Sequence, residues 1–391
     1  GKRYKEDTTM TELLIDLSNH ILAGKAIEPK VEMIMKRFEE IVTGLELPKD
    51  LLDEFSNSIE QANRLVDDGE SLMDHVKSIG EDSSAKILSS YLNKIGVNAS
   101  HINPKEAGII LSDEPGNAQI LKESYNKIYS LRERTGVMVI PGFFGYTKDG
   151  KLVTFSRGGS DITGSIVAAG VKASLYENFT DVDSVYTVNP NIVPNPKKIK
   201  KLTYREMREL SYAGFSVFHD EALIPAYHAK IPVAIKNTNN PHAEGTLIVA
   251  ERELNGQVVT GIASDTGFCT LYVSKYLMNR EIGFGRKLLN IFEDEGVSFE
   301  HAPSGIDNMS VIVRENNLPP EKEKVIIERI KNELHPDTGS ISKGFAIIMV
   351  VGEGLVNSVG DASRATEALA RANVNSEMIN QGSSEVSMMF G

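Results

Sequence analysis

A repeat in the C-terminal part of the chain restricts its fold more than any other feature. A shift of 77 positions lays KGFAIIMVV (343–351) over TGFCTLYVS (266–274). The same shift pairs Gly267 with Gly344, Phe268 with Phe345, Gly283 with Gly360, Glu300 with Glu377, Gly305 with Gly382 and Ser310 with Ser387. One offset held across strand-like, helix-like and again strand-like runs predicts two copies of one unit, about 258–320 and 335–391. Each copy reads strand, loop, helix, strand, turn, strand, and covers only one face of a small sheet. It is therefore expected to pack beside its twin or another chain. A glycine loop at the start of each helix suits a small charged ligand between the copies. The plainer alternative is two similar domains without a ligand.

Upstream, residues 1–70 place Leu13, Leu14, Leu17, Ile21 and Leu22, then Val31, Ile34, Met35, Phe38 and Ile41, at helical spacing. Ser83 reads as the start of another helix, stopped by Gly96, with Glu81 of IGEDSSAKIL just before it as a dipole partner. From about 97 to 237, strand-like runs (VNASHI, AGIIL, GVMVIPGFFG, KLVTF, ASLYENF) alternate with helical segments at 117–132 and 162–172. That alternation predicts an α/β fold, a mostly parallel sheet sandwiched by helices. Lys148-Asp149-Gly150 adds a hairpin with an expected type I′ turn. NTNNPHAEGT (237–246) reads as a domain boundary, dividing the chain into 1–245 and 246–391.

Composition removes several classes of function. A net charge of −12 argues against nucleic acid as the main partner. The basic stretch PKKIKK (196–201) reads either as a solvated loop face or as a loop near a bound polyphosphate. The longest apolar run, Phe345 to Val351, is far short of the roughly 20 residues that span a bilayer. The polar start, Gly1–Thr9, has no signal-peptide character, and no membrane association is expected. The single cysteine, Cys269, excludes an internal disulfide framework, fits a cytoplasmic location and reads as a buried core thiol. The eight histidines form no His-x-x-x-His pair, so spacing predicts no metal site; a divalent ion carried in on a phosphate ligand remains compatible.

The segment that calls for chemistry is SRGGSDITGS (156–165). Gly158 and Gly159 let the backbone approach a ligand. Ser160 or Asp161 can cap the helix that follows, whose free amides favour an anion. Arg157 offers a fork for a carboxylate or phosphate, and Asp161 can hold an ammonium group. Together they fit the two ends of a zwitterion; a capped turn whose Arg and Asp pair with each other fits equally well. FTDVDSVYTVNP (179–190) then places Thr180, Asp181 and Asp183 just past an apolar strand, at the sheet edge where open α/β folds bind ligands. Tyr186 suits either a purine face or the core.

GFFG, SRGGSD, TDVDSVYTVNP, HDEALIPA and IPVAIKNTNNPHAEGT occur in this order before the paired repeats. The combination resembles aspartate kinase, of the amino-acid kinase family with its carbamate-kinase-like sheet. EIGFGRKLLNIF, HAPSGID and MINQGSSEVSMMF resemble that enzyme's tandem α+β, ferredoxin-like ACT domains. The resemblance implies transfer of the ATP γ-phosphoryl group to the side-chain carboxylate of L-aspartate, with Mg²⁺ and ATP, on the route to lysine, threonine and methionine. It implies that Arg157 grips the α-carboxylate near the amides of Gly158, Gly159 and Ser160. Asp161, also a catalytic candidate, and Glu81 would hold the ammonium group. Thr11 and Phe143 would line the aspartate pocket, and Thr180, Asp181 and Tyr186 match the nucleotide loop.

This sequence also departs from the family pattern. The Lys-x-Gly-Gly turn that opens the family's kinase domain is not in it, and GKRYKEDTTMTELL aligns downstream of that turn. The expectation is a chain cropped at both ends, with little activity as it stands, from a full-length kinase. Asn189 and Asn191 stand where many relatives have Asp and Arg, and Ser216 where some have a nucleotide-contacting lysine, so the ATP contacts are expected to differ in detail. Met278, Asn279 and Gly283 of MNREIGFG, set against Ser304 and Asp307 of HAPSGID, form the expected effector site for lysine, threonine or both, in a homodimer joined through the ACT domains. Two rivals are a non-catalytic amino-acid-sensing subunit and another amino-acid kinase acting on glutamate, acetylglutamate or a nucleotide.

Overall fold

A computed structural model describes residues 7–66, 68–156, 158–215, 220–381 and 386–391. The chain runs α1 (Met10–Leu22), α2 (Glu28–Gly44), α3 (Asp50–Asn63), α4 (Gly69–Lys94), β1 (Ala99–His101), α5 (Pro104–Ala107), α6 (Glu123–Tyr129), β2 (Val137–Val139), β3 (Phe144–Tyr146) and β4 (Leu152–Thr154). It continues with α7 (Gly159–Gly170), β5 (Tyr176–Thr180), β6 (Lys201–Thr203), α8 (Tyr204–Tyr212), α9 (Leu223–Ala229), β7 (Val233–Asn237) and β8 (Thr246–Val249). The last stretch holds β9 (Gly261–Ser274), α10 (Phe284–Asp294), β10 (Asn308–Arg314), α11 (Pro320–Leu334), β11 (Thr338–Val351), α12 (Asp361–Arg371), β12 (Ile379–Asn380) and β13 (Ser387–Phe390). These elements form two compact units, residues 7–183 with 220–250, and residues 184–215 with 251–391. Among the described residues no helix is long and apolar enough to cross a membrane.

In the first unit the helical periodicity of the opening segment becomes one core, with Leu13, Leu14, Leu17, Ile34, Phe38, Phe55, Leu72 and Val76 buried together. A capping box starts α1: Glu12 N–H donates to Thr9 Oγ1 at 3.1 Å, and Thr9 N–H donates to Glu12 Oε2 at 2.6 Å. The helix expected from Ser83 begins instead at Gly69, where Asp68 accepts from Ser71 N–H at 3.1 Å. Glu81 is therefore inside a helix rather than ahead of one. Gly80 disguised this continuity, since a mid-helix glycine is unfavourable by about 1 kcal/mol. Its cause is packing: a Cβ there would lie 3.1 Å from Leu14 Cδ1, so the glycine lets α1 cross α4 closely.

Parallel pairs β1–β2 and β5–β7 form, and β8 adds antiparallel to β7. The Asn- and Gly-rich stretch after β7 is the turn into β8, and the first unit runs on to Ala250. The β3–β4 hairpin is present, but its turn differs from expectation. Asp149 does not take the positive φ that type I′ demands, whereas Gly150 has φ 85°. Gly150 N–H donates to Thr147 O at 3.0 Å, and Thr147 N–H to Lys151 O at 2.8 Å, a longer loop closed by a left-handed glycine. Asp74 of α4, only 2% exposed, holds this hairpin in place. Its carboxylate accepts from Thr154 N–H and Oγ1, both at 2.8 Å, and from Gly116 N–H at 3.0 Å.

The repeat of the second unit is reproduced in its long strand and its helix, whereas the short strand β12 has only isolated bridges at His301 and Ser304 as its counterpart in the first copy. β9 and β11 share one length and offset, as do α10 and α12. The copies merge because β9 and β11 pair antiparallel, giving a single sheet in the order β10-β9-β11-β13-β12. Gly267 and Gly344 both take positive φ, beside register shifts in that ladder. Cys269 is buried.

Segment 184–215 joins this unit through α8. The carboxylate of Glu206, fully buried, accepts from Arg252 Nη2 at 2.7 Å and Nε at 2.9 Å, from Thr260 Oγ1 at 2.6 Å, and from Glu353 N–H at 3.0 Å. At the far end of α8, Tyr212 donates to Glu300 Oε2 at 2.5 Å and lies 3.2 Å from His301 Nε2. Burial pushes the Glu206 carboxyl up, but the bonds from Arg252 and Thr260 outweigh it and hold its pKa below 4.5. A pKa depressed in the folded state gives stability that is full above 4.5 and is lost as the pH falls through the lower folded value. Glu206→Gln is thus expected to destabilise the second unit by about 3 kcal/mol at neutral pH and to flatten its loss of stability in acid. Thermal melts across that pH range check this, and an unchanged melting temperature at neutral pH would contradict the clamp.

Candidate functional site

The turn before α7 owes its shape to two glycines. Gly158 takes φ 74° and ψ 16° and is itself the N-cap, with no side-chain cap. This corrects the expectation that Ser160 or Asp161 caps the helix. The left-handed glycine starts the helix two to three residues earlier than expected, so both lie in its first turn, where the dipole favours a carboxylate. Gly159 is required by contact: a Cβ would stand 2.6 Å from the Phe143 ring and 3.1 Å from Phe143 Cα. Phe143 itself has φ 77°, a strained value for a side-chain-bearing residue. It is held there because its N–H donates to Thr163 Oγ1 at 3.0 Å and its carbonyl accepts from Phe155 N–H at 2.9 Å. The Thr163 hydroxyl in turn donates to Gly159 O at 2.8 Å. Phe143, Gly158, Gly159 and Ser160 thereby form one wall. Arg157 lies outside the described residues.

Asp161 is anchored from β5. Its Oδ1 accepts from Asn178 Nδ2 at 2.8 Å, and its carbonyl accepts from Tyr176 Oη at 3.2 Å. The same strand ends at Thr180, beside the end of its parallel neighbour at Asn237. Thr180 Oγ1 donates to Asp181 Oδ1 at 3.2 Å, and Asp183 Oδ1 accepts from Asn237 Nδ2 at 2.8 Å and Asn240 Nδ2 at 3.2 Å. Thr180, Asp181 and Asp183 therefore gather near the C-terminal ends of β5 and β7, the ligand-binding edge of such sheets, while Asp161 is held against the middle of β5.

Thr11 and Glu81 come together elsewhere in this unit. Both line a cavity of about 330 Å³ between α1, α2 and α4, with Arg37, Lys77 and Ser84 on its wall. Phe143 and Gly158–Asp161 are not among its lining residues. The two groups share α4, because Asp74 grips the end of β4, just ahead of the glycine turn. Burial against the concave wall pushes the Glu81 carboxyl above the ordinary carboxylate range. The side chain as a whole stays exposed, so this is a local effect of the wall rather than full desolvation.

Tyr186 belongs to the second unit, bridged to Lys198. The basic stretch is thus partly a ladder partner: Thr187 N–H donates to Lys197 O at 2.9 Å and Ile199 N–H to Val185 O at 2.8 Å. The expected effector residues are also brought together. Met278 and Asn279 lie in a short 3-10 turn, and Gly283 is the left-handed N-cap of α10. Leu277 N–H donates to Asp307 Oδ1 at 2.9 Å, and Asn279 N–H to Ile306 O at 3.2 Å, while Ser304 bridges to Met309. Among the described residues no three His, Cys, Asp or Glu side chains cluster closely enough to hold a metal ion.

Sequence reasoning missed Tyr176, Asn178 and Asn237. A signal for the first pair existed: they alternate in YENFT, and an asparagine on the inward face of a strand needs a partner.

Comparison with known proteins agrees with this geometry. The model of the amino acid kinase family matches residues 17–237, and an ACT domain model matches 348–391. Aspartokinase 3 of Bacillus subtilis is 53% identical over 397 residues, covering 100% of this chain and 86% of its own length. Aspartokinase of Helicobacter pylori is 32% identical over 328 residues, covering 81% of this chain and 79% of its own. Among solved structures, Clostridium acetobutylicum aspartate kinase superposes with a TM-score of 0.85 at 40% identity, covering 100% of this chain and 87% of that one. E. coli aspartokinase III, crystallised with aspartate and ADP, shares the fold at 22% identity and a TM-score of 0.77, over 98% of this chain and 87% of that one. A second structure of that protein carries lysine and aspartate, with the same identity, TM-score and coverage. The chain belongs to the amino acid kinase family, on its aspartokinase branch with a C-terminal ACT domain.

Proposed function

We propose that this chain transfers the γ-phosphoryl group of ATP to the side-chain carboxylate of L-aspartate, giving 4-phospho-L-aspartate and ADP. The observation that carries this reading is the left-handed glycine start of α7, which sets helix amides beside Asp161 and ties that carboxylate to β5, the strand that ends in Thr180. A carboxylate oxygen attacks the γ-phosphorus, a new P–O bond forms, and the bond to ADP breaks. Two anions must meet, so the protein's task is orientation and charge compensation rather than covalent catalysis.

In this reading Arg157 and the amides of Gly158, Gly159 and Ser160 take the α-carboxylate and Asp161 takes the ammonium group, while Glu81, on the wall of the separate α1–α2–α4 cavity, is a second carboxylate assigned to it by resemblance alone. Phe143 walls the aspartate pocket, and Thr11 is assigned to it by resemblance alone. Thr180 and Asp181 serve the nucleotide. A magnesium ion, when bound, offsets phosphate charge, and the phosphates themselves would supply most of its ligands. The E. coli relative crystallised with aspartate and ADP supports aspartate and ATP as the substrates. A non-catalytic sensing subunit is not favoured, because the kinase-family match spans 17–237.

The residues up to Ala250 are assigned the catalysis and 251–391 the regulation, in a cytoplasmic homodimer. Ile282 and Val359 occupy the same position in the two repeats, each directly before its N-cap glycine, and are 96% and 98% exposed. Bulky apolar side chains so placed suit a second copy of the chain. Lysine, threonine or both are assigned to the Met278–Gly283 and Ser304–Asp307 loops, in line with the lysine-bound E. coli relative.

A coupled ADP-release assay on the complete protein is expected to respond to L-aspartate and not to L-glutamate; equal rates would favour another amino-acid kinase. Gly159→Ala forces the Phe143 wall aside and is expected to lower kcat/KM for aspartate by about a hundredfold. Calorimetric titration with lysine and threonine is expected to give heat from at least one, and silence from both would remove the effector assignment.

A further inference from the structure

We infer that Asn178, itself oriented by Tyr176, is the positioning residue for the Asp161 carboxylate; this deepens the proposed reading, in which Asp161 holds the substrate's ammonium group. Tyr176 and Asn178 alternate on β5 and so share the strand face that meets α7. Both hydrogens of the Asn178 amide are committed, one to Asp161 Oδ1 at 2.8 Å and one to Tyr176 Oη at 3.0 Å. The phenol donates its own hydrogen to Asp161 O at 3.2 Å, so it has only lone pairs to offer Asn178. That arrangement fixes the sense of the amide: its nitrogen, not its oxygen, faces the carboxylate. A flipped amide would set oxygen against oxygen. Asn178 is 7% exposed, so water cannot readily substitute for either bond.

Tyr176 remains a neutral donor across the working pH range, since burial pushes its phenol up to about 12. The helix makes room for it. A Cβ on Gly164 would lie 2.6 Å from Tyr176 Oη and 2.9 Å from its ring, which explains a glycine inside α7 that costs about 1 kcal/mol relative to alanine. The ring of bonds pins Oδ1 of Asp161 and leaves Oδ2 without a partner among the described residues. One oxygen is fixed by the protein and the other is left for a cationic group. The preorganised carboxylate then binds without first losing rotamer freedom.

Calorimetric titration of L-aspartate into the full protein, with steady-state kinetics and thermal melts in parallel, tests this. Asn178→Leu keeps the volume and removes the donor. It is expected to weaken aspartate binding about tenfold, leave KM for ATP unchanged and leave the melting temperature at or above the parent value. Asn178→Asp sets a like charge on Asp161 and is expected to weaken aspartate binding further. Tyr176→Phe, which frees the amide to turn, is expected to give a smaller loss of about threefold. Parent-like aspartate affinity in Asn178→Leu overturns the proposal, as does an equal loss for ATP accompanied by a lower melting temperature, which would mark a purely structural role. Asp161→Asn separates the layers: unchanged aspartate affinity in that variant overturns the underlying assignment of Asp161.

Discussion

The first unit depends on the close approach of Gly159 to Phe143. No side chain fits between them, and Phe143 tolerates its left-handed backbone only because Thr163 and Phe155 tie down its amide and carbonyl. This contact places the start of α7 against the loop before β3, sets the helix amides at the sheet edge and presents Asp161 to β5. The remainder of the unit supports it. Asp74 fixes the end of β4 from α4, and the glycine crossing of α1 and α4 brings Thr11 and Glu81 to a common cavity.

The second unit is organised by a different constraint, the pairing of two long strands. Because β9 and β11 are antiparallel partners, two small sheets that would each expose an edge become one. α8 falls within the region matched by the kinase family, yet its polar side chains reach both repeats. Tyr212 bonds Glu300 at the root of the His301–Asp307 loop, while Glu206 and Glu209 bond Glu353 N–H and Ser387 Oγ in the second copy. Segment 184–215, which carries Tyr186, is thereby bound to the regulatory sheet by named hydrogen bonds.

Much of this was legible in the sequence where a physical rule acts locally. The repeat offset gave β9, α10, β11 and α12, because hydrophobic periodicity and cap glycines recur together. The glycine pair of SRGGSD marked the close approach, although its partner, Phe143, lies outside any local window. Other features were hidden because tertiary packing decided them. Ser83 looked like a helix start and lies inside α4, just past the glycine crossing at Gly80. Asp149-Gly150 looked like a type I′ turn and became a longer loop closed by the glycine alone. Asn178 carries no local signature of its partner, since the contact joins a strand to the first turn of a helix that precedes it. Resemblance to the aspartate kinases put Thr11 and Glu81 in one expected pocket, and they do line one cavity, which spacing alone would never have joined.

Trapping the product tests the central claim most directly. Hydroxylamine converts an acyl phosphate to a hydroxamate, so the complete protein incubated with ATP, magnesium and L-aspartate should yield the side-chain hydroxamate of aspartate. ADP release without any hydroxamate, or a hydroxamate formed as readily from L-glutamate, would contradict the account.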